Sequence, residues 1–341
     1  MITAAPSRIQ PSPARPTAAR WQALWRDAVR DPRELLALLG LDAESVGLSE
    51  AAAGQFALRV PRGFVARMRH GDPADPLLRQ VLPIEDEMQV LPGYGLDAVG
   101  DAAARTAAGV IQKYRGRALL IATGSCAVNC RYCFRRHFPY AEETAARDGW
   151  REAVAAIAAD PTIEEVLLSG GDPLSLATPK LAELTTALAA IPHLKRLRIH
   201  SRLPVVLPER VDAELQAWLS ALPWPVAFVI HANHANEFDA DVDAAMARLR
   251  AAGVQVLNQA VLLRGVNDEV ETLASLSERC FAAGVLPYYL HQLDRVAGVA
   301  HYEVSDERAR ELHASLAARL SGYLVPRLVR EVAGDIGKRP L

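Results

Sequence analysis

The run Ala118-Leu-Leu-Ile-Ala-Thr123-Gly-Ser-Cys126-Ala-Val-Asn-Cys130-Arg-Tyr-Cys133-Phe-Arg-Arg136 changes character halfway. Its first six residues are short, apolar and β-forming; a Gly-Ser pair then leads into three cysteines. Outward from this stretch the texture repeats. Further β-rich runs lie at Glu165–Leu168, Arg196–His200, Val226–Ile230, Val254–Val261 and Val285–Leu290. Helical periodicity fills the gaps at Trp150–Ala159, Pro179–Ala190, Pro208–Leu222, Ala240–Ala252 and Glu271–Ala283. Strand starts roughly thirty residues apart are the spacing of βα units, which build a parallel sheet. Eight units close a full barrel, so six predict an α/β fold of the partial (β/α)6 barrel type. A doubly wound open sheet is the alternative.

The barrel reading covers residues 106–320. Residues 1–20, rich in Ala, Pro, Ser and Arg, read as a flexible tail. Residues 21–105 read as a mostly helical region, with an irregular Pro- and Gly-bearing connection over Asp72–Gly95. Residues 321–341 form a C-terminal segment. The chain has 38 basic and 40 acidic residues, a net charge of −2, which gives no general attraction to nucleic acid or to an anionic membrane. Met1–Arg20 lacks an apolar signal core, and no later stretch is apolar enough to span a bilayer. With three of four cysteines inside eight residues, the cysteines do not form a disulfide framework, and a reducing, cytoplasmic setting is expected.

The Cys126-x3-Cys130-x2-Cys133 loop leaves the first barrel strand at its C-terminal end, where barrel enzymes carry their chemistry. Three thiolates on one loop can hold three corners of a [4Fe–4S] cube and leave the fourth iron open. A closed zinc site, the alternative, needs a fourth ligand. His137 is too near in sequence to wrap comfortably, and Cys280 lies in a helical pattern where it reads as a buried filler. On the next strand, Glu165-Val-Leu-Leu-Ser-Gly-Gly-Asp-Pro173 runs into a glycine turn that lets backbone approach a ligand closely. Together the two elements resemble radical S-adenosylmethionine enzymes. In these, the methionine amino and carboxylate groups chelate the open iron, and the turn, here Ser169, Gly170, Gly171 and Asp172, holds the amino group.

From Leu91 to Lys338 the sequence resembles the lysine 2,3-aminomutase family, in its short form associated with β-lysylation of elongation factor P. The resemblance is carried by Cys126–Arg136, Leu168–Asp172, His200-Ser-Arg-Leu-Pro-Val-Val-Leu-Pro208, His231-Ala-Asn-His-Ala-Asn-Glu237, Leu257–Asp268 and Ser321-Gly-Tyr-Leu-Val-Pro326. It implies a radical-SAM barrel followed by a segment with a cofactor lysine, and three cofactors: the cluster, S-adenosylmethionine and pyridoxal phosphate. Of the four lysines, Lys180 and Lys195 sit on or before outer elements and Lys113 precedes the first barrel strand. Lys338, after Gly334-Asp-Ile-Gly337, matches the family's imine lysine, and is the catalytic residue this resemblance implies. Arg135 matches the arginine that binds the substrate carboxylate, a task suited to a planar fork. Asp268 and Glu331 match the two carboxylates that hold the side-chain ammonium. Tyr114 and Arg117 match residues around pyridoxal phosphate, and Gln259 is expected near S-adenosylmethionine.

The implied reaction is a radical isomerisation of L-α-lysine to β-lysine, the (R)-isomer. A reductant such as flavodoxin or ferredoxin is implied, with elongation factor P and its lysyl-transferring ligase as functional partners. The alternatives are another amino acid 2,3-aminomutase, such as one for glutamate, and a non-catalytic iron–sulfur or zinc module. Two departures from the longer free-lysine forms, Glu331 in place of Asp and a turn interrupted by Asp335 and Ile336, fit the short form. The chain also stops three residues after Lys338, so an assembly segment of the longer forms is not expected and oligomeric state stays open.

Overall fold

The computed structural model describes residues 20–140 and 149–341, so the expectation of a flexible tail lies almost wholly outside the described residues. Among the described residues ten strands form one sheet, paired in chain order from β1 to β10. They are β1 (Arg105–Ala107), β2 (Val110–Tyr114), β3 (Arg117–Thr123), β4 (Glu165–Gly170), β5 (Arg196–Ser201), β6 (Val226–Ile230), β7 (Gln255–Val261), β8 (Leu286–His291), β9 (Arg327–Arg330) and β10 (Arg339–Pro340). Pairing is parallel from β3 through β9 and antiparallel at both ends. A doubly wound sheet reverses its strand order at a switch point, and this sheet never reverses. The open-sheet alternative therefore falls.

All six expected strands form, and β9 adds a seventh parallel one. Only Leu328 and Val329 of β9 are buried, too few for period-two patterning to reveal it. Helices Arg151–Ala159, Thr178–Ala189, Ala213–Ser220, Ala240–Ala251 and Val270–Ala282 occupy the crossovers, and Asp306–Arg319 precedes β9. Side-chain caps set the starts of three of them: Asp212 accepts from the Leu215 amide, Asp239 from Val242 and Ser305 from Arg308. The cap at Asp212 explains why this helix begins later than its apolar pattern, at Pro208, suggested.

Alternation along the strands separates two environments. Val166 and Leu168 of β4, Leu197 and Ile199 of β5, and Leu290 of β8 are buried in the apolar core with Leu181, Leu188 and Leu276 of the crossover helices. The residues between them, Leu167, Ser169, Arg198, His200, Gln259, Tyr289 and His291, line a cavity of about 300 Å3. Strands β3 and β8 are far apart in the sheet, yet both line it, so the sheet curls into an open partial barrel. An ordinary closed barrel fills its interior with branched aliphatic side chains. Here the inner face is largely polar. Among the described residues no helix is long and apolar enough to cross a membrane.

The N-terminal helices Arg20–Arg26, Pro32–Leu39, Glu50–Gln55 and Arg62–Val65 brace the cysteine loop from outside. Trp25 Nε1 and Arg59 Nη1 both donate to the Cys126 carbonyl, at 3.3 and 3.0 Å. Arg131 is completely buried and donates to Glu87 (2.8 Å) and to the Ala52 carbonyl (3.1 Å). Satisfying a buried guanidinium this fully locks the loop to the helical region.

Candidate active site

The cavity opens where the cysteine loop leaves β3. Cys126, Cys130 and Cys133 all line it. The loop is laced by backbone to the turn after β4: Gly171 N donates to Thr123 O (2.8 Å) and Asp172 N to Ser125 O (2.7 Å). A Cβ on Gly171 would lie 2.5 Å from Ser125 O, and one on Gly170, at φ +112°, 2.7 Å from Thr123 O. The glycines thus serve the close approach of the cysteine loop itself, not only of a ligand. Asp172 was expected to contact cofactor. It lines the cavity, but its oxygens accept from Leu174 N, Ser201 Oγ, Arg202 N and Leu203 N at 2.7–3.1 Å. Its work is to staple the β4 turn to the β5 turn. Burial pushes its pKa up to about 6 against those donors.

Three thiols on one rigid loop, facing a cavity, fit the donor set of a four-iron cluster. Among the described residues the zinc alternative lacks its fourth ligand, since His137 Nε2 is engaged with the Ala297 carbonyl at 3.1 Å and Cys280 is fully buried in the helix Val270–Ala282. Next to the cluster position, Arg202 Nη1 lies 2.8 Å from Cys130 Sγ while its Nη2 donates to Gln80 and Glu237.

Farther along the cavity lies a chain of charges. Arg135 Nε donates to Asp101 Oδ2 (2.6 Å), and Lys113 Nζ sits 2.6 Å from Asp101 Oδ1 and 2.8 Å from Glu331 Oε1. Glu331 Oε2 accepts from Lys338 Nζ at 2.9 Å. Burial raises the Glu331 pKa, but Lys338 and Lys113 outweigh it and hold the carboxyl at about 2. Of the expected site residues, all but Asp268 line this cavity.

Asp268 is a correction. Its Oδ1 accepts from the Gly265 amide at 2.7 Å, closing its own turn after β7. The carboxylate that does reach the cavity is Asp294, in the loop after β8. Burial and the negative charge of Glu331 push Asp294 up to about 7, and among the described residues no side chain donates to it. Lys113 is a second correction. Position before the first barrel strand suggested that it lies elsewhere, but β2 folds back antiparallel on β3 and carries Lys113 into the cavity. Lys180 and Lys195 are surface residues paired with Glu183 and Glu164.

Several buried polar atoms lining the cavity lack a partner among the described residues: Tyr114 Oη, His200 Nε2, Gln259 Oε1 and His291 Nε2. Such atoms are rare in folded interiors, and these four are free to meet a polar ligand or ordered water in the cavity. The Arg117 guanidinium stacks over the Tyr114 ring at 4.5 Å. This set fits a phosphorylated aromatic cofactor: a cation for the phosphate, polar groups for the ring, and an amine in Lys338.

Comparison with known proteins agrees with the geometry. Residues 120–276 match the radical SAM superfamily, which implies a [4Fe–4S] cluster and S-adenosylmethionine. The chain is 50% identical to L-lysine 2,3-aminomutase of Escherichia coli (strain K12), over 96% of this chain and 95% of that one. Identity to the enzyme of that name from Haemophilus influenzae is 44%, over 93% and 94% of the two chains, and to that from Clostridium subterminale 32%, over 94% and 77%. Similarity at this level across nearly the whole chain, together with the cysteine loop in a partial barrel, makes this protein a member of the lysine 2,3-aminomutase family of radical S-adenosylmethionine enzymes.

Proposed function

We propose that the chain isomerises L-α-lysine to (R)-β-lysine, using pyridoxal phosphate beside the cluster and S-adenosylmethionine. The observation that carries this reading is the placement, in one cavity, of a guanidinium, an amine and two carboxylates: Arg135, Lys338, Glu331 and Asp294. That layout complements an amino acid with an acidic group at one end and an ammonium at the other. A glutamate side chain would meet Glu331 as a like charge and bring no cation to Asp294. When bound, the cluster and S-adenosylmethionine supply a hydrogen-abstracting radical, and pyridoxal phosphate supplies a π-system across which nitrogen can move.

The protein's own residues bind, orient and exclude. Arg135 presents its Nη edge to the substrate carboxylate. Asp294 accepts the side-chain ammonium and loses its proton as it does so. In the free protein Glu331 bridges Lys338 and Lys113, and with Lys338 engaged by the cofactor its carboxylate turns to the substrate cation. Lys338 holds the pyridoxal phosphate: it has one carboxylate partner, whereas Lys113 lies between two, Asp101 and Glu331, and is held by both. Arg117 takes the phosphate.

Supply of β-lysine for the modification of elongation factor P, with a small electron-transfer protein as reductant, completes the proposal. Its support is the resemblance to the short form of the family, including Glu331 and the interrupted turn before Lys338. The test is anaerobic reconstitution with iron, sulfide, S-adenosylmethionine and pyridoxal phosphate, followed by chiral analysis of the product from lysine. Borohydride treatment should fix the cofactor on Lys338. A label on Lys113, or no β-lysine, refutes the assignment. For the partner role, the purified ligase should charge elongation factor P with the product in preference to α-lysine.

A further inference from the structure

We propose that Asp101 is a positioning residue for substrate recognition: it clamps the Nε edge of Arg135 and thereby aims the opposite Nη edge at the substrate carboxylate. The inference rests on the reading of Arg135 as the carboxylate binder.

Asp101 lies in the turn just before β1 and is 2% exposed. The turn is built locally. Both oxygens of Asp97 accept backbone hydrogen bonds, from Asp101 N and Ala102 N, each at 2.9 Å. Gly100 adopts φ +70°, and a Cβ there would come within 2.9 Å of Ala333 Cβ. The turn therefore rests against the C-terminal segment that carries Glu331 and Lys338.

Each oxygen of Asp101 has a cation. Oδ2 accepts from Arg135 Nε at 2.6 Å and Oδ1 faces Lys113 Nζ at 2.6 Å. Neither is left for substrate, which makes Asp101 a positioning group. Burial would raise its pKa, but Arg135 and Lys113 outweigh that and keep it ionised. A bond at Nε fixes the plane of a guanidinium, because the fork is rigid. Beyond it, among the described residues Arg135 makes one long hydrogen bond, Nη1 to Ser169 Oγ at 3.4 Å, and stacks on Phe134 with 4.6 Å to the ring centroid. Through Lys113 the same aspartate reaches Glu331 and so Lys338, which ties the carboxylate-binding end of the cavity to the cofactor amine.

The experiment compares lysine with 1,5-diaminopentane, which keeps both amines and lacks the carboxylate, on the reconstituted full-length enzyme. In Asp101→Asn the KM for lysine should rise at least about tenfold, the scale of one misdirected charge-assisted hydrogen bond, while the inhibition constant of diaminopentane moves less than about twofold. Asp101→Glu keeps the charge but moves the guanidinium by a methylene. It should shift the lysine KM in the same direction, and it serves if the asparagine variant does not fold. Equal shifts for both compounds mean a general structural role and overturn the proposal, as does an unchanged lysine KM. Failure of the wild type to turn over lysine refutes the function itself, and the role of Asp101 with it, before any variant is made.

Discussion

Asp294 offers the sharpest measurement. Its carboxyl is held at about 7 in the substrate-free cavity, against 3.8 for an unperturbed aspartate. A substrate ammonium needs it ionised, so below pH 7 lysine must expel a proton in order to bind. Lysine affinity should fall by about tenfold per pH unit from 7 toward 5.5, and level off above 7. If the ammonium restores an ordinary carboxylate pKa, the shift of about 3 units at about 1.4 kcal/mol each sets a ceiling near 4 kcal/mol for the contact. Asp294→Asn should therefore weaken lysine binding at pH 8 by between about thirtyfold and several hundredfold, and should remove this part of the slope. Subtracting the variant's pH profile from that of the wild type cancels the titration of the lysine α-amine, which both share. Calorimetry in two buffers of different ionisation enthalpy should show about one proton more released by the wild type at pH 6. The stability signature has the opposite sense. A folded-state pKa above the unfolded one means the native state binds the extra proton, so stability falls as pH rises from about 4 through 7, and Asp294→Asn should flatten that fall. Identical pH profiles for wild type and variant would refute the assignment of Asp294.

Three further outcomes separate the parts of the site. Alanine at Cys126, Cys130 or Cys133 should each abolish iron–sulfur absorbance, while Cys280→Ala should keep it and lose about 1 kcal/mol of stability, read from denaturant melts. Asp268→Asn should leave lysine turnover within about threefold of wild type, since its carboxylate only closes the turn at Gly265; loss beyond about thirtyfold would return it to the site. Gly171→Ala should prevent cluster assembly in a protein that retains its far-ultraviolet circular dichroism, because the new Cβ meets Ser125 O at 2.5 Å.

How much of this was legible in the sequence depended on the range of the signal. Strand–helix alternation and the cysteine spacing are local patterns: the first gave the right architecture, and the second marked three thiols that the fold brings to one cavity. β9, with two buried residues, falls below what periodicity can detect. Asp268 and Asp294 both follow barrel strands, and only the direction of a turn separates the one that closes on its own backbone from the one that faces the cavity. Lys113 looked peripheral because the antiparallel return of β2 onto β3 has no signature in the sequence before the barrel. Asp101 sits in a stretch with no periodicity at all. Its role depends on contacts to residues 34 and 12 positions away, Arg135 and Lys113. The glycines of the β4 turn were visible, but not that backbone of the cysteine loop fills the space they leave.

Pairing the charges inside the cavity isolates the groups that need a ligand. Arg202 has Glu237, Arg198 has Glu165, Lys113 has Asp101 and Glu331, and Lys338 has Glu331. Arg135 has Asp101 on one edge only. Among the described residues, Arg117 is then the cavity-lining cation with no carboxylate at salt-bridge distance, stacked on a tyrosine, and Asp294 is the carboxylate with neither a cation at that distance nor a hydrogen-bond donor. Both are half-buried, and a charge withdrawn from water in this way gains from a partner that neutralises it. Asp294 does so in the free protein by holding a proton; Arg117 does so in part through the ring of Tyr114. A ligand set that brings a phosphate to the one, an ammonium to the other and a carboxylate to the open edge of Arg135 would complete every pair at once. Lysine together with pyridoxal phosphate is such a set, whereas glutamate in place of lysine would leave Asp294 without its cation.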